Sequence, residues 1–140
     1  MIFIYEVNGV VKYGVVANND ESAIKNIIPD GVDYFIKDES ELPPEPIDTW
    51  CIEDGVIKVD QQKLIEFNRK NMPTLTPIEF DIKLVNAELY DQVQSLIHSD
   101  VKLKIAYTRA TFFSRTDPFI DQARIALNLT DEQVDEMWTS

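Results

Sequence analysis

Cysteine and histidine are almost absent from the sequence, which contains only Cys51 and His98. A single cysteine cannot form an intrachain disulfide, and these two residues are too few for a zinc site built from cysteine and histidine. We interpret Cys51 as a buried strand residue and His98 as a helix C-terminal residue, where a cation is favourable. His98, Ser99 and Asp100 are sequence neighbours that point in different directions on a helix, so they predict no catalytic relay.

Glycine is also scarce, with four in 140 residues and no two closer than five positions. That spacing excludes the glycine-rich loop that holds phosphate groups at a helix N-terminus. The sequence also has no Asp-x-Asp-x-Asp-Gly calcium loop. We therefore expect no catalytic residues, no metal and no cofactor, and a protein that is not an enzyme.

The sequence has no long hydrophobic run and few positively charged residues. No apolar run approaches the roughly 18 to 20 residues that span a bilayer, and the opening MIFIYEVNGV has no cationic segment, so we interpret it as a strand rather than a signal peptide. Basic residues are outnumbered, with 13 Lys and Arg against 25 Asp and Glu, for a net charge of −12. That charge repels phosphate backbones and anionic lipids, so we expect neither direct nucleic-acid binding nor membrane binding.

What is present is the composition of a folded protein, with 44% hydrophobic and 10% aromatic residues. In the first half, apolar residues alternate around two turn dipeptides, Asn8-Gly9 and Asp54-Gly55, and this pattern predicts two β-hairpins. The first hairpin pairs 2–7 with 10–16, and the second pairs 49–53 with 56–59. Between them we expect a strand over 32–37 and a short helix capped by Asn19 or Asp20, with an apolar face formed by Ala23, Ile24, Ile27 and Ile28.

From about Asp60 the apolar spacing changes to the helical period. A helix is predicted over 61–70, and the polar, proline-containing run over 71–77 marks the boundary between two lobes. Thr76, Pro77 and Glu79 then form a capping box that opens a long helix, bent near Asn86. Its predicted core-facing stripe is Ile78, Ile82, Val85, Leu89, Val93 and Leu96.

Three further caps predict the remaining helices. Asp100 opens a helix carrying Leu103, Ala106, Ala110 and Phe113, Asp117-Pro118 opens another with Ile120, Ala123 and Leu127, and a Thr130/Gln133 capping box precedes Val134, Met137 and Trp138. The predicted fold class is therefore α+β, with a small antiparallel β lobe (ββαβ-ββ) followed by a bundle of three or four helices. The predicted ranges are 1–60 for the β lobe, 61–75 for a helix and linker, and 76–140 for the bundle.

The acidic, proline-rich stretch between Lys37 and Trp50 contains Asp38, Glu39, Glu41 and Glu45. Prolines at 43, 44 and 46 favour extended, solvated backbone, whereas a catalytic carboxylate pair is held rigidly and partly buried. We interpret this stretch as a solvated connector and leave open a docking loop for a partner. Among the aromatic residues, Phe112 lies off the predicted apolar stripe of its helix and is the candidate exposed aromatic.

Two groups of short motifs resemble small proteins encoded among the tail and tail-fibre genes of tailed bacteriophages. From Gly31 to Asp60 the similarity comprises a Gly-Val-x-Tyr strand, Asp-x-Ser-x-Leu-Pro, a Trp-bearing strand and an Asp/Gly hairpin ending in Val-Asp. Later motifs are Leu-Thr-Pro-x-Glu-Phe from Leu75, Ala-x-x-Phe-x-Arg-x-Asp-Pro from Ala110, and Ala-Leu-Asn-Leu-Thr from Ala126, followed by Gln133 and Asp135. Asn128 stands where the pattern usually has glycine, and Pro44 to Thr49 replaces its usual Arg-rich phrase.

The resemblance implies a non-enzymatic accessory of the phage tail, either a minor virion component or an assembly chaperone for a tail fibre. Its partner is then a tail or tail-fibre protein, and its location is the host cytoplasm during assembly or the virion tail. The candidate partner-binding residues are Tyr34, Trp50, Phe112 and Trp138, and a homo-oligomer is left open. Two other hypotheses remain: an acidic inhibitor that mimics nucleic acid and blocks a host nucleic-acid-binding protein, and a small enzyme that uses carboxylates alone.

Overall fold

A computed structural model describes all 140 residues and divides the chain into two compact units, Met1–Phe67 and Asn68–Ser140. All five strands lie in the first unit, in two small antiparallel sheets, and the chain after them is helical. The predicted α+β class is therefore confirmed. The division between the units falls inside helix α2 (Gln61–Lys70), within the range 61–75 that the sequence assigns to a helix and linker.

The first sheet has the strand order β2-β1-β3, formed by β1 (Ile2–Val7), β2 (Val10–Val15) and β3 (Tyr34–Lys37). Asn8 and Gly9 both have positive φ, 52° and 77°, as a two-residue hairpin turn requires. The second sheet consists of β4 (Trp50–Glu53) and β5 (Val56–Val59), joined by Asp54-Gly55 with φ of 51° and 73°. Both predicted hairpins are confirmed, because each turn dipeptide tolerates the left-handed backbone that its turn needs.

Both faces of the first sheet carry buried side chains, because successive strand residues point to opposite faces. On one face Ile4 and Val11 pack with Trp50 and Ile57 of the second sheet. On the other face Phe3 and Val16 pack with Ile24 of helix α1 (Glu21–Ile24), which Asp20 caps by accepting a hydrogen bond from the Ser22 N–H.

Helix α1 is shorter than predicted, and this is a correction. The expected apolar face included Ile27, yet the helix ends at Ile24 and Ile27 is half exposed. Pro29 disfavours helical backbone at the residue before it, so the chain between Lys25 and Ile28 forms turns instead. Ile28 still packs against the cluster that contains Ile24.

The second unit contains the end of α2 and five further helices, where the sequence predicts three or four. These helices are α3 (Pro77–Asn86), α4 (Tyr90–Ser99), α5 (Val101–Arg109), α6 (Pro118–Ala126) and α7 (Asp131–Thr139). The predicted capping boxes at Thr76 and Thr130 and the caps at Asp100 and Asp117 are present. The beginnings of α3, α5, α6 and α7 are therefore predicted correctly, and that of α4 is not.

The extra helix arises because the predicted long helix is two helices. α3 ends in a Schellman motif: the Leu89 N–H donates to the Leu84 carbonyl at 2.8 Å and the Glu88 N–H donates to the Val85 carbonyl at 3.0 Å. Glu88 takes the left-handed conformation, φ 60°, that a glycine usually supplies at this position. Because no glycine marks the break, the sequence predicts only a bend near Asn86.

The break also overturns part of the predicted apolar stripe. Ile78, Ile82 and Val85 were expected to face the core, yet they are 73%, 54% and 57% exposed. The buried residues of α3 are Phe80 and Leu84 instead. The side of α3 that faces the core is therefore opposite to the predicted side. The helical spacing of apolar residues is predicted correctly, but the residues assigned to the core are the wrong ones.

Helix α5 is also shorter than predicted. It ends at Arg109, which leaves Ala110 and Phe113 outside the helix that was expected to carry them. Phe113 pairs in an antiparallel bridge with Leu75, with N–H to carbonyl distances of 2.7 and 2.9 Å. The backbone groups of Phe113 are therefore used in extended pairing, although its ring is buried as predicted.

The core of the second unit contains a group of packed aromatic rings among aliphatic side chains. Phe80 and Phe113 stack with ring centroids 4.3 Å apart, and the rings of Phe119 and Trp138 pack around them. Tyr107 lies at the edge of this group, against Phe80, Phe113 and Phe119. No helix in the structure combines the length and the apolar character that crossing a membrane requires.

Candidate protein-binding surface

The structure places two of the four predicted partner-binding residues in the interior. Trp50 is 5% exposed and Trp138 is 1% exposed. Each indole N–H donates to a main-chain carbonyl, Trp50 to Glu45 at 2.7 Å and Trp138 to Pro73 at 2.8 Å. Both are core side chains that tie a neighbouring loop to a packed unit, and in this fold neither presents a surface to a partner.

The other two predicted residues differ from one another. Tyr34 lies on β3, is half-buried and packs against the cluster around Phe3. Phe112 is 57% exposed, in contrast to its buried neighbour Phe113. Phe113 is held in the bridge with Leu75, whereas Phe112 lies in the bend before it. The prediction that Phe112 contacts a partner therefore remains open to test.

A continuous apolar face lies on α3 and consists of Ile78, Ile82 and Val85, which we call the α3 face. Spacings of four and three residues place these side chains on one side of the helix, opposite Phe80 and Leu84. The antiparallel bridge between Leu75 and Phe113 brings the chain at Phe112 close to Thr76, the N-cap of α3, and the Phe112 side chain is exposed. Apolar positions at i, i+4 and i+7 on one exposed side are typical of a helix that docks into a partner.

Polar contacts on the flanks of α3 hold the helix in this rotation. Glu79 completes the capping box with the Thr76 N–H, and Lys83 donates to the Ser140 main-chain oxygen at 2.6 Å. Asp81 accepts a hydrogen bond from the Tyr107 hydroxyl, which also accepts one from Gln94 at 3.2 Å. Burial, followed by the hydrogen bond to Asp81 and its charge, raises the pKa of Tyr107, so this hydroxyl stays protonated as the donor. The α3 face is therefore held outward by contacts within the second unit.

A cluster of three arginines and three aspartates was not predicted from the sequence. Arg115 is buried, and it donates from Nε to Asp135 at 2.7 Å and from Nη2 to Asp131 at 3.1 Å. Arg69 reaches the other oxygen of Asp135 at 2.9 Å, and Arg124 lies between Asp121 and Asp131. The cluster ties the first turn of α7 to the loop before α6 and to the end of α2.

The electrostatics of this cluster favour its ionised form. Partial burial alone raises the pKa of Asp131, but the Arg115 hydrogen bond and the charges of Arg69, Arg124 and Arg115 outweigh burial and hold it below its usual range. Every buried side-chain nitrogen and oxygen in the structure has a hydrogen-bond partner. Each of the three arginines therefore forms ion pairs with aspartates of this chain. The motif residues Arg115 and Asp135 were the available signal, and only the fold brings them together across 20 positions.

The acidic connector contains two short 3-10 helical turns, 39–41 and 47–49. Asp38, Glu39 and Glu41 are exposed, and Glu45 is half-buried. A hydrogen bond from the Asp38 N–H, with the nearby Lys37 charge, lowers the pKa of the Glu41 carboxyl. No three His, Cys, Asp or Glu side chains in the structure are grouped so that they could hold a metal ion. The connector is only partly solvated, because Leu42 and Ile47 pack against the cluster that contains Trp50 and Thr49 is fully buried.

Comparison with protein-family models, curated proteins and solved structures finds no match to this chain.

Proposed function

We propose that this chain acts by protein–protein binding as an accessory of a bacteriophage tail, either a minor virion component or an assembly factor for a tail fibre. The observation that supports binding is the α3 face, where three large aliphatic side chains are more than half exposed on one side of a helix. The phage assignment rests on the motif resemblance. Several of its residues, among them Phe113, Arg115, Asp117 and Asp135, have structural roles in the second unit.

The proposed partner is a tail or tail-fibre protein that contacts the α3 face and Phe112. An apolar helix face held in a fixed rotation loses little conformational freedom on binding, which favours affinity. Anchor residues at the centre of such a face carry most of the binding energy. Ile82 occupies that central position between Ile78 and Val85.

Affinity capture during infection by the phage that encodes the chain tests this proposal. The tagged protein should retain a tail or tail-fibre protein, identified by mass spectrometry. Ile82→Glu should reduce the amount retained by about tenfold or more, which corresponds to about 1.4 kcal/mol. Ile125→Glu is the matched control, because Ile125 is 63% exposed on α6 and lies outside the α3 face. Equal capture by both variants would exclude the α3 face as the binding surface.

The second candidate function is the acidic inhibitor that mimics nucleic acid, and the charge of −12 is the observation that favours it. The same capture experiment distinguishes the two, since a mimic should retain a host nucleic-acid-binding protein. Binding by a mimic should weaken steeply as salt is added, whereas binding through the apolar α3 face should depend little on salt.

A further inference from the structure

Strand β2 forms a free edge of the first sheet. It pairs with β1 on one side and with no strand on the other. In an antiparallel pair of strands, opposite residues alternate between hydrogen-bonded and non-hydrogen-bonded pairs. The two-residue turn makes Val7 and Val10 a hydrogen-bonded pair. Met1 and Val16 at the other end of the strands are also hydrogen-bonded, at 3.0 and 3.2 Å, so the alternation extends along the whole hairpin. The intervening residues Val11, Tyr13 and Val15 therefore direct their N–H and C=O groups away from β1.

Two large side chains along this edge are exposed. Tyr13 is 52% exposed and Val15 is 67% exposed. They point to the same sheet face as Ile2, because Ile2 pairs with Val15. On that face they border an open groove of about 700 Å³ whose lining also includes Pro43, Ile47 and Trp50. A strand added to β2 would place alternate side chains on this face, beside the groove.

The negative charge of the chain is concentrated in the first unit. Fourteen of the 25 acidic residues but only five of the 13 basic residues lie in the first unit, which gives it a net charge of −9 and leaves −3 for the second. Strand β2, with the sequence VVKYGV, contains one charged residue, Lys12, which is exposed and lies on the face opposite the groove. Glu39 is the one charged residue that lines the groove. An edge that is apolar on its groove side thus lies within an acidic unit.

We infer that the β2 edge and its groove bind an extended segment of a partner protein in which apolar residues alternate with lysine or arginine. Main-chain hydrogen bonds to Tyr13 and Val15 supply affinity, and the apolar side chains lie against the groove. The basic side chains point to the opposite face, where Lys12 repels them locally and the net charge of −9 of the unit attracts them. The inference goes beyond the proposed function, because it concerns a different surface in a different unit and does not depend on the phage assignment.

A second copy of this chain is the competing occupant, since exposed edges also pair with one another. Pairing two β2 strands would bring together two units that each carry −9, and the repulsion opposes it. A segment rich in lysine or arginine meets attraction at the same place. Charge therefore favours the basic partner segment.

A synthetic peptide in which valine and lysine alternate is the probe for this inference. Its control has the same composition, but the valines and lysines form two blocks. On adding the alternating peptide, amide hydrogen exchange should slow at Tyr13 and Val15, and it should change little at Lys12 and Gly14, which already bond to β1. Because this measurement uses the unmodified protein, it does not depend on any variant folding.

Two matched variants separate groove binding from simple charge attraction. Val15→Glu and Val56→Glu each add one negative charge to a strand of the first unit. Val15 is 67% exposed and Val56 is 50% exposed, and Val15 lines the groove whereas Val56 does not. We expect Val15→Glu to raise the dissociation constant of the peptide about tenfold and Val56→Glu to leave it within about twofold.

Three results would overturn the inference. Val15→Glu could bind the peptide as tightly as the unmodified protein or more tightly, as pure electrostatic attraction predicts. The block peptide could protect Tyr13 and Val15 equally well. Finally, these amides could become protected without peptide as the protein concentration rises, which would identify a second copy as the occupant.

Discussion

At the scale of single residues, position 14 requires glycine because of the side chain opposite it, and not because of an unusual backbone conformation. A Cβ at this position would collide with the ring of Phe3, the residue opposite it on β1. Phe3 is fully buried, so its ring cannot move without disturbing the packing against Val16 and Ile24. The absence of a side chain at Gly14 therefore allows the ring to lie flat across the strand.

Gly14→Ala should lower the free energy of unfolding by about 1 to 3 kcal/mol, the usual cost of overpacking a core. Urea unfolding measures the change, with Lys12→Ala, an exposed position on the same strand, as the control. An unchanged midpoint for Gly14→Ala would show that Phe3 can repack.

Arg115 illustrates a buried charge that depends on its partners. Its side chain is 4% exposed, and its two ion pairs are with different aspartates, Asp131 and Asp135. Arg115→Met leaves both carboxylates without this partner, and we expect a loss of about 3 kcal/mol in unfolding free energy. Arg115→Lys should recover only part of the loss, because one ammonium cannot reproduce the two-directional geometry of the guanidinium. Arg109→Met, at an exposed arginine, is the control in the same urea titration.

At the scale of elements, the second unit ends two of its helices in the same way. α3 and α6 both finish in a Schellman motif, with Glu88 at φ 60° and Asn128 at φ 57° in the left-handed position. After α6, the Leu129 N–H donates to the Arg124 carbonyl and the Asn128 N–H to the Ile125 carbonyl. Asparagine tolerates this conformation, whereas glutamate does so at a cost of about 1 to 2 kcal/mol.

Glu88→Gly should therefore stabilise the second unit by about 1 kcal/mol, since glycine removes the steric cost but increases the freedom of the unfolded chain. Asn128→Gly at the equivalent position should stabilise it less, by a few tenths of a kcal/mol at most. Thermal or urea unfolding of the two variants tests this order. A larger gain from Asn128→Gly would contradict it.

These elements show which parts of the fold the sequence could predict. Hairpin turns and helix N-caps were predicted because a turn dipeptide or a capping box places its whole signal within a few residues. The end of α3 was missed because Glu88 carries no turn signal, although it takes the left-handed conformation and the next residue, Leu89, packs against the core. The α3 face was missed for a related reason, because periodicity identifies apolar sides of a helix without showing which side meets the core.

At the scale of the whole molecule, the two units differ in charge and each contains one tryptophan. The first unit carries −9 and contains Trp50, and the second carries −3 and contains Trp138. Both indoles are buried, so each reports the unfolding of its own unit by fluorescence. Like charges within a compact unit repel one another, and salt screens this repulsion.

Raising the salt concentration from about 0.01 M to about 0.1 M shortens the screening length from about 30 to about 10 Å. We expect the urea midpoint of the first unit to rise clearly and that of the second to change less. Fluorescence of Trp138→Phe follows the first unit, and that of Trp50→Phe follows the second. Equal shifts in both variants would show that self-repulsion does not limit the stability of the first unit.

The sequence by itself determined the strands, the two hairpin turns, the helix beginnings that carry a side-chain cap and the excess of negative charge. Each of these depends on residues close together in the chain or on a simple count of charges. The tertiary structure alone decided that Trp50 and Trp138 are interior, that Arg115 meets Asp131 and Asp135, and that Ile78, Ile82 and Val85 face outward. Those outcomes depend on contacts between distant segments, because burial and pairing are properties of the packed chain and not of any one stretch of it.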